Sequence, residues 1–206
     1  MMKEGKIEPD DMSRQPVACS YVEWIDVLHQ QLGSTRCRIQ NMEVPLSDGL
    51  RSLAEEFASA RSRDATVWWI GNGGSAALCS HIAQDVMNKL GTRSIVLSDS
   101  ALLTCMANDF GYGEVYRRPL SVMARPDDIL VAISSSGMSR NILACAELAM
   151  KNRLRLITLS AFSDKNLLWL HPATLAFYLP CALYGHAEVG HACLLHSVID
   201  TLVAKG

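Results

Sequence analysis

The sequence predicts an α/β protein built around a doubly wound parallel sheet. Short apolar, β-branched or aromatic runs alternate with longer stretches of helical periodicity, the order that βα units produce. The runs do not alternate apolar with polar residues, so both faces of the sheet are expected to be covered, as in a parallel sheet. The predicted strands lie at residues 66–70, 94–97, 129–133, 154–159 and 174–179.

Two helices are predicted before the first of these strands. Ser20-x-x-Glu23 is a capping-box pattern, apolar residues recur at helical spacing behind it, and Gly33 is placed to end that helix. Ser47 or Asp48 is expected to cap the second helix. Later helices are predicted near 76–89, 101–107, 114–124, 141–151 and 188–203.

Length and composition limit the class of protein. The 206 residues predict a flexible arm at 1–19 followed by a single domain at 20–206. A net charge of −2 argues against a nucleic-acid partner. No apolar run approaches the roughly 18 residues of a membrane helix, and the charged start of the chain does not resemble a signal peptide. The sequence therefore predicts a cytoplasmic protein with no membrane partner.

Charge and cysteine usage point to an assembled protein in a reducing compartment. Charged residues make up 19% of the chain, below the roughly 25% of typical domains, which favours a surface partly covered by other subunits. The seven cysteines form no CxxC pair. They are therefore expected to be small core residues, with no disulfide framework and no thiolate zinc site.

A glycine-rich segment, Gly71-Asn72-Gly73-Gly74-Ser75, follows the first predicted strand and precedes a helix. Ligands of parallel sheets bind beyond the carboxyl ends of strands, and the free N–H groups of a helix N-terminus suit a phosphate. A P-loop is excluded because no Gly-Lys-Ser/Thr follows. A dinucleotide fingerprint ending at Ala76 and a tight turn with no ligand both stay open at this point.

A serine-rich segment, Ser134-Ser135-Ser136-Gly137-Met138-Ser139, follows the third predicted strand and also precedes a helix. Hydroxyls and backbone N–H groups in such a loop can surround a phosphate without a lysine. Two loops of this kind at the same edge of one parallel sheet predict a small phosphorylated ligand.

Together with His81-x-x-x-Asp85 and Ala107-Asn108-Asp109, these loops resemble the sugar isomerase (SIS) domain over about residues 48–205. More narrowly, the sequence is similar to the bacterial phosphoheptose isomerases, which convert sedoheptulose 7-phosphate into D-glycero-D-manno-heptose 7-phosphate. The resemblance implies a three-layer α/β/α, flavodoxin-like fold with a five-stranded parallel sheet. It also implies N-terminal helices that pack into a homotetramer, with active sites between subunits.

The resemblance further implies roles for individual residues. It implies a zinc site made by His81, Asp85, Glu188 and His196, with Asp85 and His196 as the acid–base pair. Two positions depart from the family pattern, because Asp85 stands where the family has glutamate and Glu188 where it has glutamine. The implied sugar-phosphate contacts are Asn72, Gly73, Gly74, Ser75, Asn108, Asp109, Ser134, Ser135, Ser136, Ser139 and Glu188.

Helix geometry constrains these four polar residues. His81 and Asp85 are four residues apart and share one helix face, where a plain surface hydrogen bond is the alternative to a ligand site. Glu188 and His196 are eight residues apart, or about 12 Å along one helix. One ion could not reach both unless Glu188 lies at or before the first turn, which favours a site built from different chains. His191 is the spare histidine and is expected in the core.

The resulting prediction is an aldose–ketose isomerase acting on a seven-carbon phosphosugar through an enediol. Four ionisable, ligand-capable side chains favour an enzyme. Two alternatives stay open at the level of sequence. One is a non-catalytic SIS protein of the initiator-associating type, which acts through protein contacts. The other is an isomerase for a different phosphosugar.

Overall fold

A computed structural model describes residues 20–205, so the arm predicted at 1–19 lies outside the described residues. The strands are β1 (Arg36–Ile39), β2 (Met42–Val44), β3 (Val67–Gly71), β4 (Ser94–Val96), β5 (Ile129–Ser134), β6 (Arg155–Ala161) and β7 (Leu175–Leu179). The helices are α1 (Tyr21–Gly33), α2 (Leu46–Ser62), α3 (Gly74–Leu90), α4 (Ser100–Phe110), α5 (Arg117–Met123), α6 (Arg140–Lys151), α7 (Leu167–Leu170) and α8 (Tyr184–Lys205).

The five predicted strands are confirmed and form the parallel part of the sheet. Their order, β4-β3-β5-β6-β7, is that of a flavodoxin-like doubly wound sheet. All five residues of β3 and all six of β5 are buried, as expected for strands covered on both faces. β3 and β5 are neighbours, and Gly71 pairs with Ile133 at their carboxyl ends. This register brings the glycine-rich and serine-rich loops to one edge.

The sheet has two further strands that the sequence analysis missed. β1 and β2 form a hairpin, and β1 pairs antiparallel with β7, so the whole sheet has seven strands and is mixed. Gln40 and Asn41 make the two-residue turn with positive φ angles of 48° and 70°, which is the pattern of a type I′ hairpin. The two strands have only four and three residues, too few for a periodicity signal.

The helices begin and end close to the predicted positions, except at the start of α2 and in the region predicted as one helix at 114–124. The Ser20 side chain accepts a hydrogen bond from the Glu23 N–H at 3.1 Å, as the capping-box pattern predicts. The cap of α2, however, is Pro45 and neither Ser47 nor Asp48. The fixed φ of proline suits a helix start, so α2 begins without a side-chain cap.

The helix predicted at 114–124 is divided in the structure. A short 3₁₀ helix occupies Tyr112–Glu114, and α5 begins only at Arg117. The short helix α7 was not predicted. Within residues 20–205 no helix is both long and apolar enough to cross a membrane.

Two apolar cores give the fold its three layers. Helices α2, α3 and α8 pack on one face of the sheet, and α4, α5 and α6 pack on the other. The six cysteines in the described part of the chain are free. Four of them are buried as expected, whereas Cys105 and Cys193 are exposed.

Asp128 fixes the amino edge of the sheet, opposite the two loops. Its carboxylate is 3% exposed and accepts hydrogen bonds from the Thr66 N–H at 2.8 Å and from the Trp68 indole at 2.9 Å. A third hydrogen bond comes from the Arg125 N–H at 2.9 Å. One buried carboxylate thus joins the starts of β3 and β5 and holds the register that aligns their other ends.

Candidate active site

The two loops enclose a single cavity beyond the carboxyl ends of β3 and β5. Its volume is about 230 Å³, and its wall is rich in hydroxyl and backbone N–H groups. The lining residues are Asn72, Gly73, Gly74, Ser75, Ile133, Ser134, Ser135, Ser136, Ser139, Tyr184 and Glu188. The structure therefore gathers into one place nine of the residues that the sequence proposed as sugar-phosphate contacts.

The glycine-rich loop brings the start of α3 into the cavity. Gly73 has φ of 54° in the left-handed region that favours glycine, and no side chain caps this end of α3 among the described residues. The partial positive charge of a helix N-terminus suits an anion. A Cβ atom on Gly74 would lie only 2.1 Å from Oε1 of Glu188, so this glycine leaves room for the glutamate from α8.

The serine-rich loop is held in shape from behind. Gly137 has φ of 62°, and a Cβ atom there would collide with the buried side chain of Asn166. The Asn166 side chain donates to the Ser163 carbonyl at 2.6 Å and accepts from the Trp169 N–H at 2.7 Å. The Ser134 hydroxyl donates to that of Ser139 at 3.2 Å, so the hydroxyls lie close to one another around the cavity.

Asn72 connects the two loops through its side chain. Its Nδ2 donates to Oδ1 of Asn141 at 3.0 Å, and Nδ2 of Asn141 donates back to Oδ1 of Asn72 at 2.9 Å. The Tyr112 hydroxyl donates to the same Oδ1 at 3.1 Å. Asn141 and Tyr112 were both missed by the sequence analysis, although Asn141 stands only two residues beyond the serine-rich segment.

A second polar cluster lies further along α3 and α8. His81, Asp85 and His196 each offer one atom that could bind a metal, and these three atoms lie within 4.8 Å of one another. Nδ1 of His196 is 3.6 Å from Oδ2 of Asp85, and the two imidazole centroids are 5.1 Å apart. The i,i+4 spacing on α3 places His81 and Asp85 on one face, as the sequence predicted.

The charge of Asp85 is set by its neighbours. Its Oδ2 accepts a hydrogen bond from Lys89 at 3.0 Å, and its Oδ1 accepts one from Gln84 at 2.6 Å. Burial alone raises the pKa of Asp85, but the Lys89 hydrogen bond and the positive charges of Lys89, His81 and His196 together lower this pKa below its usual value. The carboxylate is therefore ionised at neutral pH. Lys89 was missed, although it continues the i,i+4 series from His81 and Asp85.

Comparison with known proteins assigns the family. A family model for the SIS domain matches residues 32–161. The chain belongs to the SIS domain family. Phosphoheptose isomerase of Geobacter sulfurreducens is 30% identical over 187 residues, covering 88% of this chain and 97% of that relative. The Thermodesulfovibrio yellowstonii phosphoheptose isomerase is 33% identical over 157 residues, 73% of this chain and 77% of that protein.

The fold of this SIS domain matches solved structures as well. A phosphoheptose isomerase from Francisella tularensis superimposes with a TM-score of 0.77 and 21% identity, covering 90% of this chain and 96% of that one. The predicted SIS fold is thereby confirmed, and the curated relatives place the chain on the phosphoheptose isomerase branch.

Two of the predicted contacts lie away from the cavity, and Glu188 lies in the cavity but not in the predicted metal site. Glu188 lies in the second turn of α8, about 12 Å along the helix from His196, and lines the cavity without joining the His81–Asp85–His196 cluster. Asn108 and Asp109 are exposed near the end of α4 and do not line the cavity of a single chain. Their predicted contacts with the sugar stay predictions.

The spare histidine lies in the core as expected. His191 is 1% exposed, and its Nε2 lies 3.2 Å from the Ser160 carbonyl. Burial lowers the pKa of His191 to about 4, so its imidazole is neutral. Tyr184, which the sequence analysis did not single out, lines the cavity one helical turn before Glu188.

Proposed function

We propose that this chain is an aldose–ketose isomerase that converts sedoheptulose 7-phosphate into D-glycero-D-manno-heptose 7-phosphate through an enediol. The observation that carries the proposal is the arrangement on α3 and α8. Both helices contribute to the cavity at their starts and to the His81–Asp85–His196 cluster further along. Curated relatives that span most of the chain are named phosphoheptose isomerase.

The separation of the two places fits a long phosphosugar. His81 lies six residues beyond Ser75, about 9 Å along α3, and His196 lies eight residues beyond Glu188, about 12 Å along α8. With carbon–carbon bonds of about 1.5 Å, an extended seven-carbon chain and its phosphate ester reach roughly 10 Å. A phosphate held in the cavity therefore leaves the opposite end of an extended sugar near His81, about one helical turn before Asp85 on the same face of α3.

The cavity supplies the binding energy in this mechanism. The hydroxyls of Ser134, Ser135, Ser136 and Ser139 and the N–H groups at the start of α3 are suited to the phosphate oxygens. Energy from this remote, non-reacting group is used to align the carbons that react.

The cluster supplies the proton transfers. The ionised carboxylate of Asp85 takes a proton from C1 of the ketose, which gives the enediol, and returns it to C2. The His196 imidazole moves a proton between the two neighbouring oxygens, since an imidazole can accept and donate protons near neutral pH. Lys89 keeps Asp85 ionised but also weakens it as a base, so the ketose must compete with Lys89 for this carboxylate.

The cluster also fits a divalent metal such as zinc. Two imidazoles and a carboxylate within 4.8 Å of one another are a donor set used in catalytic zinc sites. His81, Asp85 and His196 would hold the ion, and Glu188 could add a fourth ligand only from another chain. A bound ion would act as a Lewis acid on the sugar carbonyl.

We also propose a cytoplasmic homotetramer with sites between subunits. The surface supports association, because large apolar side chains of α1 are exposed, including Tyr21, Val22 and Ile25 at 94%, 67% and 59%. Further apolar side chains, Phe110 and Val122, are exposed on the opposite helical layer.

The decisive experiment is incubation of the purified protein with sedoheptulose 7-phosphate, followed by NMR. Appearance of an aldoheptose phosphate signal is the expected result, together with metal bound to the isolated protein and loss of turnover on chelation. Turnover of a different phosphosugar, but not of sedoheptulose 7-phosphate, would change the substrate assigned to the enzyme. Absence of turnover with every phosphosugar tested, in metal-supplemented protein, would favour the non-catalytic alternative.

A further inference from the structure

The side chain of Asn141 does not line the cavity, and the side-chain hydrogen bonds it makes with the described residues are to Asn72. Asn141 is 3% exposed and stands in the first turn of α6. Asn72, by contrast, lines the cavity. The two amides exchange a pair of hydrogen bonds of 3.0 and 2.9 Å across 69 residues of sequence. The contact through which its side chain can act on a ligand is therefore the one with Asn72.

A count of donors and acceptors shows what Asn72 can still offer. An amide oxygen has two lone pairs, and those of Asn72 accept from Asn141 and from the Tyr112 hydroxyl. An amide nitrogen has two hydrogens, and one of them is donated to Asn141. A single N–H is left for the cavity, so Asn72 can act there only as a donor.

We propose that Asn141 is a positioning residue that fixes the orientation of the Asn72 amide, so that its free N–H faces an oxygen of the bound phosphosugar. The inference rests on the function proposed above. Phosphate and sugar oxygens accept hydrogen bonds, and a donor aimed at an anionic oxygen forms a charge-assisted bond. Without Asn141 the amide could rotate and turn its own oxygen toward the same anion, which would repel it.

The same pair links the two loops mechanically. Asn72 belongs to the loop after β3, Asn141 follows the loop after β5, and Tyr112 belongs to the 3₁₀ helix beyond α4. Nearby, the Tyr116 hydroxyl donates to the Gly71 carbonyl at 2.6 Å. The orientation of Asn72 is therefore set by three separate segments, and Asn141 supplies two of its three side-chain hydrogen bonds.

A double-mutant cycle tests this assignment. Asn141→Leu removes both hydrogen bonds at similar side-chain volume, and Asn72→Leu removes the donor itself. We expect Asn141→Leu to lower kcat/KM by 10- to 100-fold. The double variant should be no worse than Asn72→Leu alone, because Asn141 acts through Asn72. Glu147→Ala, on the exposed side of the same helix, is the control and should match the wild type.

Two outcomes would overturn the proposal: losses that multiply in the double variant, or an Asn141→Leu enzyme within twofold of wild type. Multiplying losses would mean that Asn141 has a structural role independent of Asn72. If Asn141→Leu does not fold, Asn141→Ala takes its place in the same cycle, with the same expected and contrary results.

The cycle can also be measured without catalysis. Calorimetric affinity for sedoheptulose 7-phosphate is expected to fall in Asn141→Leu and to show the same non-additivity with Asn72→Leu. A protein that binds this sugar phosphate with that pattern but does not isomerise it would contradict the proposed function and leave the positioning role standing. Additive affinity losses in an active enzyme would contradict the positioning role and leave the proposed function standing.

Discussion

Gly74, the first residue of α3, provides a test of how closely the cavity is built. A Cβ atom at this position would lie 2.1 Å from Oε1 and 2.4 Å from Cδ of Glu188. The glycine is inside the helix and needs no left-handed backbone, so Gly74→Ala adds one methyl group to the cavity wall and changes little else. The three atoms nearest to the added methyl group all belong to the Glu188 carboxylate, so the substitution acts first on this contact.

The size of the effect follows from this overlap. Ordinary contacts begin near 3.4 Å, so the carboxylate must retreat by more than about 1 Å. A displacement of that size in a site that positions substrate can cost about a hundredfold in rate, or roughly 2.7 kcal/mol. Stability should not fall, because a flexible side-chain end can move away and alanine is a better helix former than glycine.

The assay compares kcat/KM and the thermal unfolding midpoint for Gly74→Ala, Glu188→Ala and the double variant. We expect Gly74→Ala to lose about a hundredfold in kcat/KM with an unchanged or higher midpoint. The double variant should be no worse than Glu188→Ala, since the collision is then absent. Gly33→Ala, which meets open space, is the matched control. A Gly74→Ala enzyme within twofold of wild type would refute this account of the cavity.

Three further predictions concern other residues. Asp85→Asn should abolish aldoheptose formation by NMR while calorimetric binding of the phosphosugar stays largely intact, and undiminished turnover would reject Asp85 as the base. Asp128→Asn should lower the free energy of unfolding by about 2–4 kcal/mol in urea titrations. The Asp128 carboxylate accepts three N–H hydrogen bonds, and the NH₂ group of asparagine could not accept the one that reaches it. Burial lowers the pKa of His191 from 6.5 to about 4, so the unfolded chain takes up a proton first as the pH falls. The contribution of His191 to stability should therefore be constant above pH 6.5 and fall by up to about 3 kcal/mol toward pH 4, and His191→Gln should remove that part of the decline.

The parallel half of the fold could be predicted because its signals are local. Strands such as Val67–Gly71 and Ile129–Ser134 are continuous apolar runs, and the loops after them have distinctive compositions. The hairpin of β1 and β2 could not be predicted, because its strands have four and three residues and are stabilised by pairing with β7. That pairing joins Cys37 to Phe177, 140 residues later in the chain, and leaves no periodic pattern nearby.

The same distinction applies to the site. The sequence could place the glycine-rich and serine-rich loops at one edge because strand ends in a parallel sheet share an edge. It could not find Asn141 or Tyr112, since their importance depends on which side chains they meet. The start of α2 shows a different kind of error. Ser47 and Asp48 are residue types that cap helices well, but α2 begins at Leu46, after Pro45, so both lie inside the helix.

The geometry of α3 and α8 ties the size of the substrate to the sequence itself. Each helix begins at the cavity, so the residues at its start contact the phosphate end of a ligand. Each then carries one imidazole of the polar cluster after a fixed number of residues, from Ser75 to His81 and from Glu188 to His196. Because an α-helix rises by 1.5 Å per residue, these intervals place His81 and His196 about 9 and 12 Å along their helices from the cavity residues, and Asp85 about 15 Å along α3 from Ser75. A phosphosugar much shorter than seven carbons could fill the cavity without bringing its carbonyl to Asp85, so chain length becomes a basis for selectivity before any hydroxyl group is recognised.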